Sequence, residues 1–383
     1  MDRLNAPRGT FALARYPAHP KDPLRAWDAA DELLLRHLAE REDDGLDLDG
    51  AVAILNDGWG ALAAGLAEHR PTSVSDSYLA RRATAANLEA NGIEPGSVTL
   101  VESVEAVGDR VDVAVIKVPK SLALLEHQLH LLAPKLHEGA TVVAAAMTKH
   151  VHRSTLELFE RLVGPTRTSR AVRKARLVFP ERDPALVAGP SPWPRTFRLE
   201  PGGRTVVGHA GVFSARKLDV GTRLLVAHLP APGDHRRVVD LGCGTGVVGL
   251  TIADRDPQAQ VTFIDESSLA VASAEATFRT NLGADREARF VVGNGLGDLA
   301  SGPPLTDADL VVVNPPFHQD HAVGDATAWQ MFSEARDVLR PGGDLWVVGN
   351  RHLAYNAKLT KLFGRSTVVG SNPGFVVLRA RRP

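Results

Sequence analysis

Two hydrophobic periods alternate along the chain. Short β-rich apolar runs recur, each followed by a turn and then by a helix-length stretch of apolar and polar positions. The order is clearest in the second half. "RRVVDLGCGTGVVGLTIADRD", residues 236–256, reads as strand, glycine-rich turn and helix. "AQVTFIDESSLAVASAEATFRTNLG" ends a strand at Asp265 and opens a helix near Ser267 and Ser268. "ADLVVVNPPFH" is another buried strand. "MFSEARDVLRPGGDLWVVGNRH" gives a helix, a Pro-Gly-Gly turn and a strand ending near Asn350, and "STVVGSNPGFVVLRAR" supplies two last strands. Such alternation predicts a parallel sheet with crossover helices, a doubly wound α/β fold.

Residues 25–180 keep the same rhythm. "DGAVAILNDGWGALAAGLAEH" reads as strand, turn and helix, and "TSVSDSYLARRATAANLEANG" ends a strand at Asp76 before a helix. Laid on the second half, Asp57-Gly58 falls at the glycine turn, Asp76 at Asp265, and Lys117-Val118-Pro119-Lys120 at Asn-Pro-Pro-Phe. This predicts an internal duplication whose first copy has lost its glycine cradle and its amide-proline-aromatic corner. The rhythm common to all doubly wound domains is the competing account. Between the halves, residues 179–203 are rich in Pro, Gly and charge and poor in periodicity. The expected division is 1–185, a linker at 186–203, and 204–383. Residues 204–230 read as a hairpin or short strands plus a helix, placed to cover the mouth of the second sheet.

Composition narrows the class. At 383 residues the chain exceeds one ordinary core. A net charge of -1 excludes no partner, because a neutral total can hide a basic patch. The single cysteine, Cys243, excludes a disulfide framework and a cysteine-built zinc site, and no metal is expected. The start "MDRLNAPRGT" lacks a secretory signal and no apolar run approaches membrane-spanning length. The expectation is a soluble, cytoplasmic protein with no membrane partner.

Candidate chemistry gathers at the strand ends. Gly242, Gly244 and Gly246, with Thr245 between the last two, allow a tight turn and close approach of a ligand to the backbone. Asp240 precedes the turn, and Asp265 ends the next strand, where it can bind a ribose hydroxyl. A dinucleotide fingerprint can be extracted from Gly244, Gly246 and Gly249, and a bare structural turn is the other alternative. The upstream carboxylate favours a cationic or zwitterionic ligand such as S-adenosylmethionine, since Asp240 can organise the loop or meet an ammonium group. Asn294, in "VVGNGLGD", can contact an adenine amino group, although Asn and Gly are also ordinary turn residues. At the corner, Asn314 offers an amide oxygen and Pro315, followed by Pro316, a carbonyl of restrained direction. Two such acceptors can hold an exocyclic amine, with Phe317 stacked on the ring that bears it. Alignment matters more than a strong base in such a transfer. Protein glutamine amides and nucleobase amines both fit. His318 reads as a solvent-facing or structural histidine before a proton acceptor.

The segment 149–176 carries eight Lys or Arg against two Glu, the local excess that phosphate contacts need. Arg167, Arg170, Arg173, Lys174 and Arg176 are its densest cluster. A solvated helix and loop is the alternative. Trp27 reads as a buried residue of an amphipathic helix before a base-stacking one.

"NPPFH", "PGGDLWVVGNRHLAYNAKLTKLFG" and "GVFSARKLDVGTRLLVAHLP" resemble the bacterial ribosomal RNA guanine-N2 methyltransferases with two methyltransferase-like domains. "YPAHPKDPLRAWDAADELLLRHL" is similar to the large-subunit, 23S member more than to the 16S one. The resemblance implies two tandem Rossmann-like domains, the first degenerate and assisting RNA binding. It implies that the second binds S-adenosylmethionine and methylates a guanine 2-amino group in ribosomal RNA, alone or in an assembling subunit. It assigns Asp240, Gly242, Gly244 and Gly246 to the cofactor loop, Asp265 to the ribose, Asn294 to the adenine and Asn314 to Phe317 to the amine. Arg351 and His352, after Asn350, then stand where the backbone of a flipped nucleotide would pass. Asn356 departs from the family, where a histidine is usual after the tyrosine. A 16S enzyme, or a non-catalytic RNA-binding assembly protein of the same fold, are the rival expectations.

Overall fold

Val52–Leu55 and Ala308–Val313 are buried at every position, as parallel strands covered on both faces require. Each lies inside its own sheet, between two parallel neighbours. The computed structural model describes residues 1–18, 24–200, 202–316 and 321–383. It divides into two units, Met1–Pro192 and Trp193–Pro383.

In the second unit the sheet order is Asp298–Leu299, Arg289–Asn294, Gln260–Asp265, Arg237–Leu241, Ala308–Val313, Leu339–Asn350, Phe375–Arg381 and Ser366–Ser371. The five strands from Arg289–Asn294 to Leu339–Asn350 are parallel, and the remaining pairings are antiparallel. The order in which the chain fills the sheet reverses at the neighbouring parallel strands Arg237–Leu241 and Ala308–Val313. That switch point opens a crevice at the carboxyl ends of the strands, where ligands of such sheets bind. One face is covered by Val247–Arg255 and Ser268–Leu282, where Phe263 stacks on Phe290 at 5.0 Å and meets the edge of Phe278. The other is covered by His321–Val338 and Tyr355–Phe363, with Phe332 against Tyr355.

The first unit repeats the plan with the order Thr99–Val101, Thr72–Val74, Val52–Leu55, Val111–Lys117, Leu136–Met147, Ala175–Pro180 and Thr166–Thr168. The likeness extends to side chains. An N-terminal hairpin, Asp2–Ala6 with Gly9–Leu13, is tied down where Asn91 and Asn87 accept from Ala12 and Ala14 amides. In the second unit Arg195–Leu199 pairs with Arg204–Gly208, and Asn281 and Thr277 accept from Thr205 and Val207. Both anchors stand thirteen and nine residues beyond the first residue of the corresponding helix, Tyr78 or Ser268. The hairpin of the first unit was not foreseen, and the stretch expected as linker at 186–203 holds an ordered strand. A two-stranded ribbon without a strong alternating pattern takes its stability from these long-range anchors.

Register corrects one alignment. Leu55 pairs with Val74 as Leu241 pairs with Ile264, so Ser75 occupies the place of Asp265 and Asp76 stands one residue late. The corner holds: Ile116 and Val313 are level with Leu55 and Leu241, which makes Lys117 the counterpart of Asn314. Among the described residues, no helix is long and apolar enough to cross a membrane.

Candidate active site

The crevice of the second unit is built from four strand ends. The first is the loop after Arg237–Leu241. Gly242, Gly244 and Gly246 all have left-handed φ, at 72°, 52° and 74°. Gly246 starts the helix Val247–Arg255 and lies against the neighbouring helix, where a Cβ would approach the Ala274 backbone at 2.8 Å. Gly244 is different. A Cβ there would meet nothing closer than the Phe213 carbonyl at 3.8 Å, so it borders open space. Thr245 is buried beside it.

Asp240 lies beneath this loop. Its buried carboxylate accepts from the Gly249 amide at 2.8 Å and so holds the first turn of the helix. Burial pushes its pKa up to about 7; the Gly249 hydrogen bond opposes the shift and Asp265 adds to it. Its visible work is loop organisation. Asp265 accepts from the Gly244 amide at 2.9 Å and from Ser267 at 3.1 Å, which fixes the carboxylate at the lip of the crevice. Asn294 ends its strand as expected. The following Gly295 is left-handed, and the Leu296 amide donates to Glu334 at 2.7 Å. Glu334 carries no signal in the sequence beyond that of a helical acid, yet it pins this loop.

Asn314 follows the strand Ala308–Val313. Its Nδ2 donates to Thr222 Oγ1 at 2.9 Å and to Asp219 Oδ2 at 3.5 Å. The Thr222 hydroxyl donates in turn to Asp219 Oδ2 at 2.6 Å. Asn314 Oδ1 is buried without a hydrogen-bond partner among the described residues. Leaving such an acceptor unmatched costs about 1–3 kcal/mol, so the oxygen is suited to a donor that arrives with a ligand. Pro315 is buried and Pro316 exposed, while Phe317 and His318 lie outside the described residues. Arg351 and His352 are exposed on the short turn after Leu339–Asn350, and the Arg351 amide and guanidinium contact Gly374 and Asn372. Phe213, half exposed, projects from the segment between the hairpin and the helix Val220–Ala227.

The matching edge of the first unit is closed. Asp57 accepts from Gly60 at 2.9 Å, Ala61 at 3.1 Å and Ala63 at 2.8 Å, filling the helix entrance with its own carboxylate. Ser75 replaces the aspartate, and Lys117 replaces the asparagine. Lys117 Nζ lies 3.0 Å from Asp28 and 2.6 Å from Asp31. Burial works against its charge, yet these carboxylates hold the ammonium above its ordinary value, while burial pushes Asp31 up to about 6.

Cations collect around that closed edge. Arg173 and Lys174, both left-handed, form the hairpin turn that precedes Ala175–Pro180, and the Lys174 carbonyl accepts from Thr148. The turn thus adjoins Thr148–His150. Burial lowers the His150 pKa, and Lys149, Lys120 and His152 add to that effect, which marks them as neighbours. Arg170 is exposed. Arg173 pairs with Glu32 at 2.8 Å, and Arg167 lies over Phe179 near Glu181. Arg176 is only partly exposed, with its Nε buried, and so is the least available of the five. Trp27 is buried and donates to Glu32.

Asp219 and Thr222 were missed as site residues. The sequence did carry a signal for them: "LDVGT" is an N-cap acid with a polar side chain three positions on. No local pattern shows that the pair reaches a residue more than ninety positions away.

Residues 1–184 match the RLMG N-terminal domain and residues 203–379 the Methyltransferase small domain. Curated relatives named Ribosomal RNA large subunit methyltransferase G align over nearly the whole chain. The Streptomyces coelicolor protein is 56% identical, covering 98% of this chain and 99% of its own. That of Streptomyces avermitilis is 55% identical with 99% of both covered, and that of Aeromonas salmonicida 48% identical with 97% and 96% covered. Among solved structures, a T. Thermophilus 16S rRNA N2 methyltransferase in complex with AdoMet and guanosine superposes with a TM-score of 0.73. It covers 100% of this chain and 98% of its own at 24% identity, a likeness of fold.

Two predictions follow from the loop. Gly244→Ala should cost about 1–2 kcal/mol for its left-handed backbone, leave the fold intact and abolish S-adenosylmethionine binding in calorimetry. Gly246→Ala should lower the melting temperature further, because its Cβ meets backbone; the reverse ranking would reject this account of the cradle. Asp240→Asn keeps the acceptor for Gly249 without a titrating group. The raised carboxyl binds more protons in the folded chain than in the unfolded one, so the parent loses stability as pH rises from 3.8 towards about 7. Urea unfolding across that range should show the variant gaining on the parent and levelling off above it; a constant difference would mean that Asp240 titrates normally.

Proposed function

The chain belongs to the ribosomal RNA large subunit methyltransferase G family, and from that premise we propose that it methylates the exocyclic 2-amino group of a guanine in 23S ribosomal RNA, with S-adenosylmethionine as donor. The observation that carries the reading is the orientation of Asn314, whose amide nitrogen is spent on Thr222 and Asp219 and whose oxygen is left to accept.

The cofactor supplies an electrophilic methyl group. The open side of Gly244 and the fixed Asp265 carboxylate fit such a ligand, since one admits close approach and the other offers acceptors for a ribose diol. Gly242, Thr245 and Gly246 shape the loop, Asp240 holds it from below, and Asn294 stands at the adenine end. Asn314 Oδ1 and the Pro315 carbonyl accept the two N–H groups of the guanine amine, which aims its nitrogen and stabilises the positive charge that grows on it. Phe317 stacks on the flipped base, with Arg351 and His352 beside its backbone. No strong base is required, because the amine proton becomes acidic as the new bond forms.

The first unit is read as an RNA-binding copy, spanning residues 1–185 and joined through 186–203 to the catalytic half. In its loop the Asp57 carboxylate already takes the helix amides, and its basic edge supplies phosphate contacts through Lys149, Arg167, Arg170, Arg173, Lys174 and, to a smaller degree, Arg176. A non-catalytic assembly role is disfavoured by the intact loop and corner of the second unit.

Labelled methyl transfer to ribosomal RNA from cells lacking the gene, followed by fragment mapping, should place the label on guanine N2 of 23S rRNA. Asn314→Ala should lower the single-turnover rate on the order of 10²- to 10³-fold while RNA and cofactor affinities stay near parental. Parental transfer would reduce the corner to a strand terminator. Separately, replacing Lys149, Arg170 and Lys174 together by alanine should weaken RNA binding and reduce its log–log salt slope by about 2 to 3, with cofactor affinity unchanged. An unaltered slope would show that these cations are ordinary solvated surface.

A further inference from the structure

We propose that Asp219 and Thr222 are positioning residues for the transfer: together they lock the Asn314 amide with its oxygen towards the substrate amine. The inference rests on the reading of Asn314 given above and adds the groups that set its orientation. An asparagine amide can be turned over at little cost unless its neighbours discriminate between nitrogen and oxygen. Here they do. Asp219 Oδ2 already accepts from the Thr222 amide at 2.7 Å and the Thr222 hydroxyl at 2.6 Å. Because the hydroxyl proton is committed to the carboxylate, Thr222 Oγ1 offers only lone pairs to Asn314, at 2.9 Å. A reversed amide would set its oxygen against a carboxylate and a hydroxyl with no proton to give. Thr222 is buried, so water does not readily replace these contacts.

The first unit provides an internal comparison. The helix Ala29–Asp43 has Asp28 as N-cap and Asp31 as its third residue; the helix Val220–Ala227 has Asp219 and Thr222 at the same positions. In each unit this pair grips the residue at the carboxyl end of the corresponding strand, Lys117 closing Val111–Lys117 in one and Asn314 just after Ala308–Val313 in the other. The donor and one acceptor have changed together: an ammonium faces two carboxylates, and an amide faces one carboxylate and a hydroxyl. What persists is a double acceptor at the start of the helix. What differs is whether the gripped side chain has an oxygen left to present, and lysine has none.

The test uses the full chain and 23S rRNA from cells lacking the gene. Thr222→Val keeps the shape and removes the hydroxyl, and Thr222→Ser restores it. The single-turnover rate at saturating RNA should fall about 10- to 100-fold in Thr222→Val and largely return in Thr222→Ser. S-adenosylmethionine affinity by calorimetry and RNA affinity by filter binding should stay within about twofold of parental, as only alignment is lost. In an Asn314→Ala background, Thr222→Val should add almost nothing, because its route to the substrate is already gone. Should Thr222→Val fail to fold, Asn314→Asp carries the same test. It keeps acceptor oxygens but opposes Asp219 with a second carboxylate, so it should transfer no faster than Asn314→Ala, and adding Asp219→Asn should recover part of the rate. A parental rate in folded Thr222→Val, an additive loss in the Asn314→Ala background, or near-parental Asn314→Asp would each overturn the inference. A parent chain that transfers no methyl to guanine N2 would instead remove the reading on which it rests.

Discussion

The amides that open the helices after Arg237–Leu241 and Val52–Leu55 need acceptors, and the two units draw those acceptors from different places. Helix entrances leave several N–H groups without partners inside the helix. In the second unit Asp240 reaches up from within the strand and takes only the Gly249 amide. The loop above it stays open on the side of Gly244. In the first unit the acid sits in the loop itself, and Asp57 takes the corresponding Ala63 amide together with Gly60 and Ala61. A carboxylate of the protein thus occupies the place that a ligand would need. Both arrangements satisfy the equivalent Gly249 or Ala63 amide at 2.8 Å, so the fold tolerates either. The proposed cofactor site uses only the first.

A second exchange accompanies it at the neighbouring strand end. The helix-cap carboxylate and the side chain three residues later form an acceptor pair in both units, and the pair holds whichever donor the strand delivers. With Lys117 the ammonium is spent on Asp28 and Asp31, and the gripped side chain has no acceptor to present. With Asn314 the donor end is held and the acceptor end remains. Loss of the Asp265 carboxylate to Ser75 completes the closure, although Ser75 still accepts from the Ser77 amide as Asp265 does from Ser267. Structural duties survive in the first unit while groups that face outward are removed.

Much of this was legible in the sequence. The order of strands and helices, the duplicated plan and the correspondence of Lys117 with Asn314 follow from period and spacing alone, because buried parallel strands leave a strong local signature. The error at Asp76 has a physical source. A strand end and a helix cap can slide by one residue in the eye when polar residues are adjacent, as in Ser-Asp-Ser, and only pairing register fixes which side chain faces the crevice. The N-terminal hairpin stayed hidden because its stability comes from Asn87 and Asn91, more than seventy positions away. Asp219 and Thr222 stayed hidden for the same reason: the sequence shows the cap, and the fold alone shows what the cap holds. The basic segment was visible as charge, but its division into exposed Arg170 and Lys174, paired Arg173 and half-buried Arg176 needed the hairpin.

Charge distribution then follows from the closure of the first unit. A strand-end crevice with open amides draws anionic or polar ligands into itself. Once Asp57 fills that entrance and Asp28 and Asp31 neutralise Lys117, the edge no longer concentrates binding at one point. The exposed cations Lys120, Lys149, Arg170 and Lys174 stand there on turns and hairpin ends. On the proposed reading their ligand is a polyanion, for which each phosphate contact contributes modestly and the sum depends on how many are made. The overall charge of -1 does not show this, because it sums acids and bases over the whole chain. On the proposed reading the same plan yields one site for a small cofactor and another for a long polymer, and what separates them is where the buried carboxylate stands, beneath the loop as Asp240 or within it as Asp57.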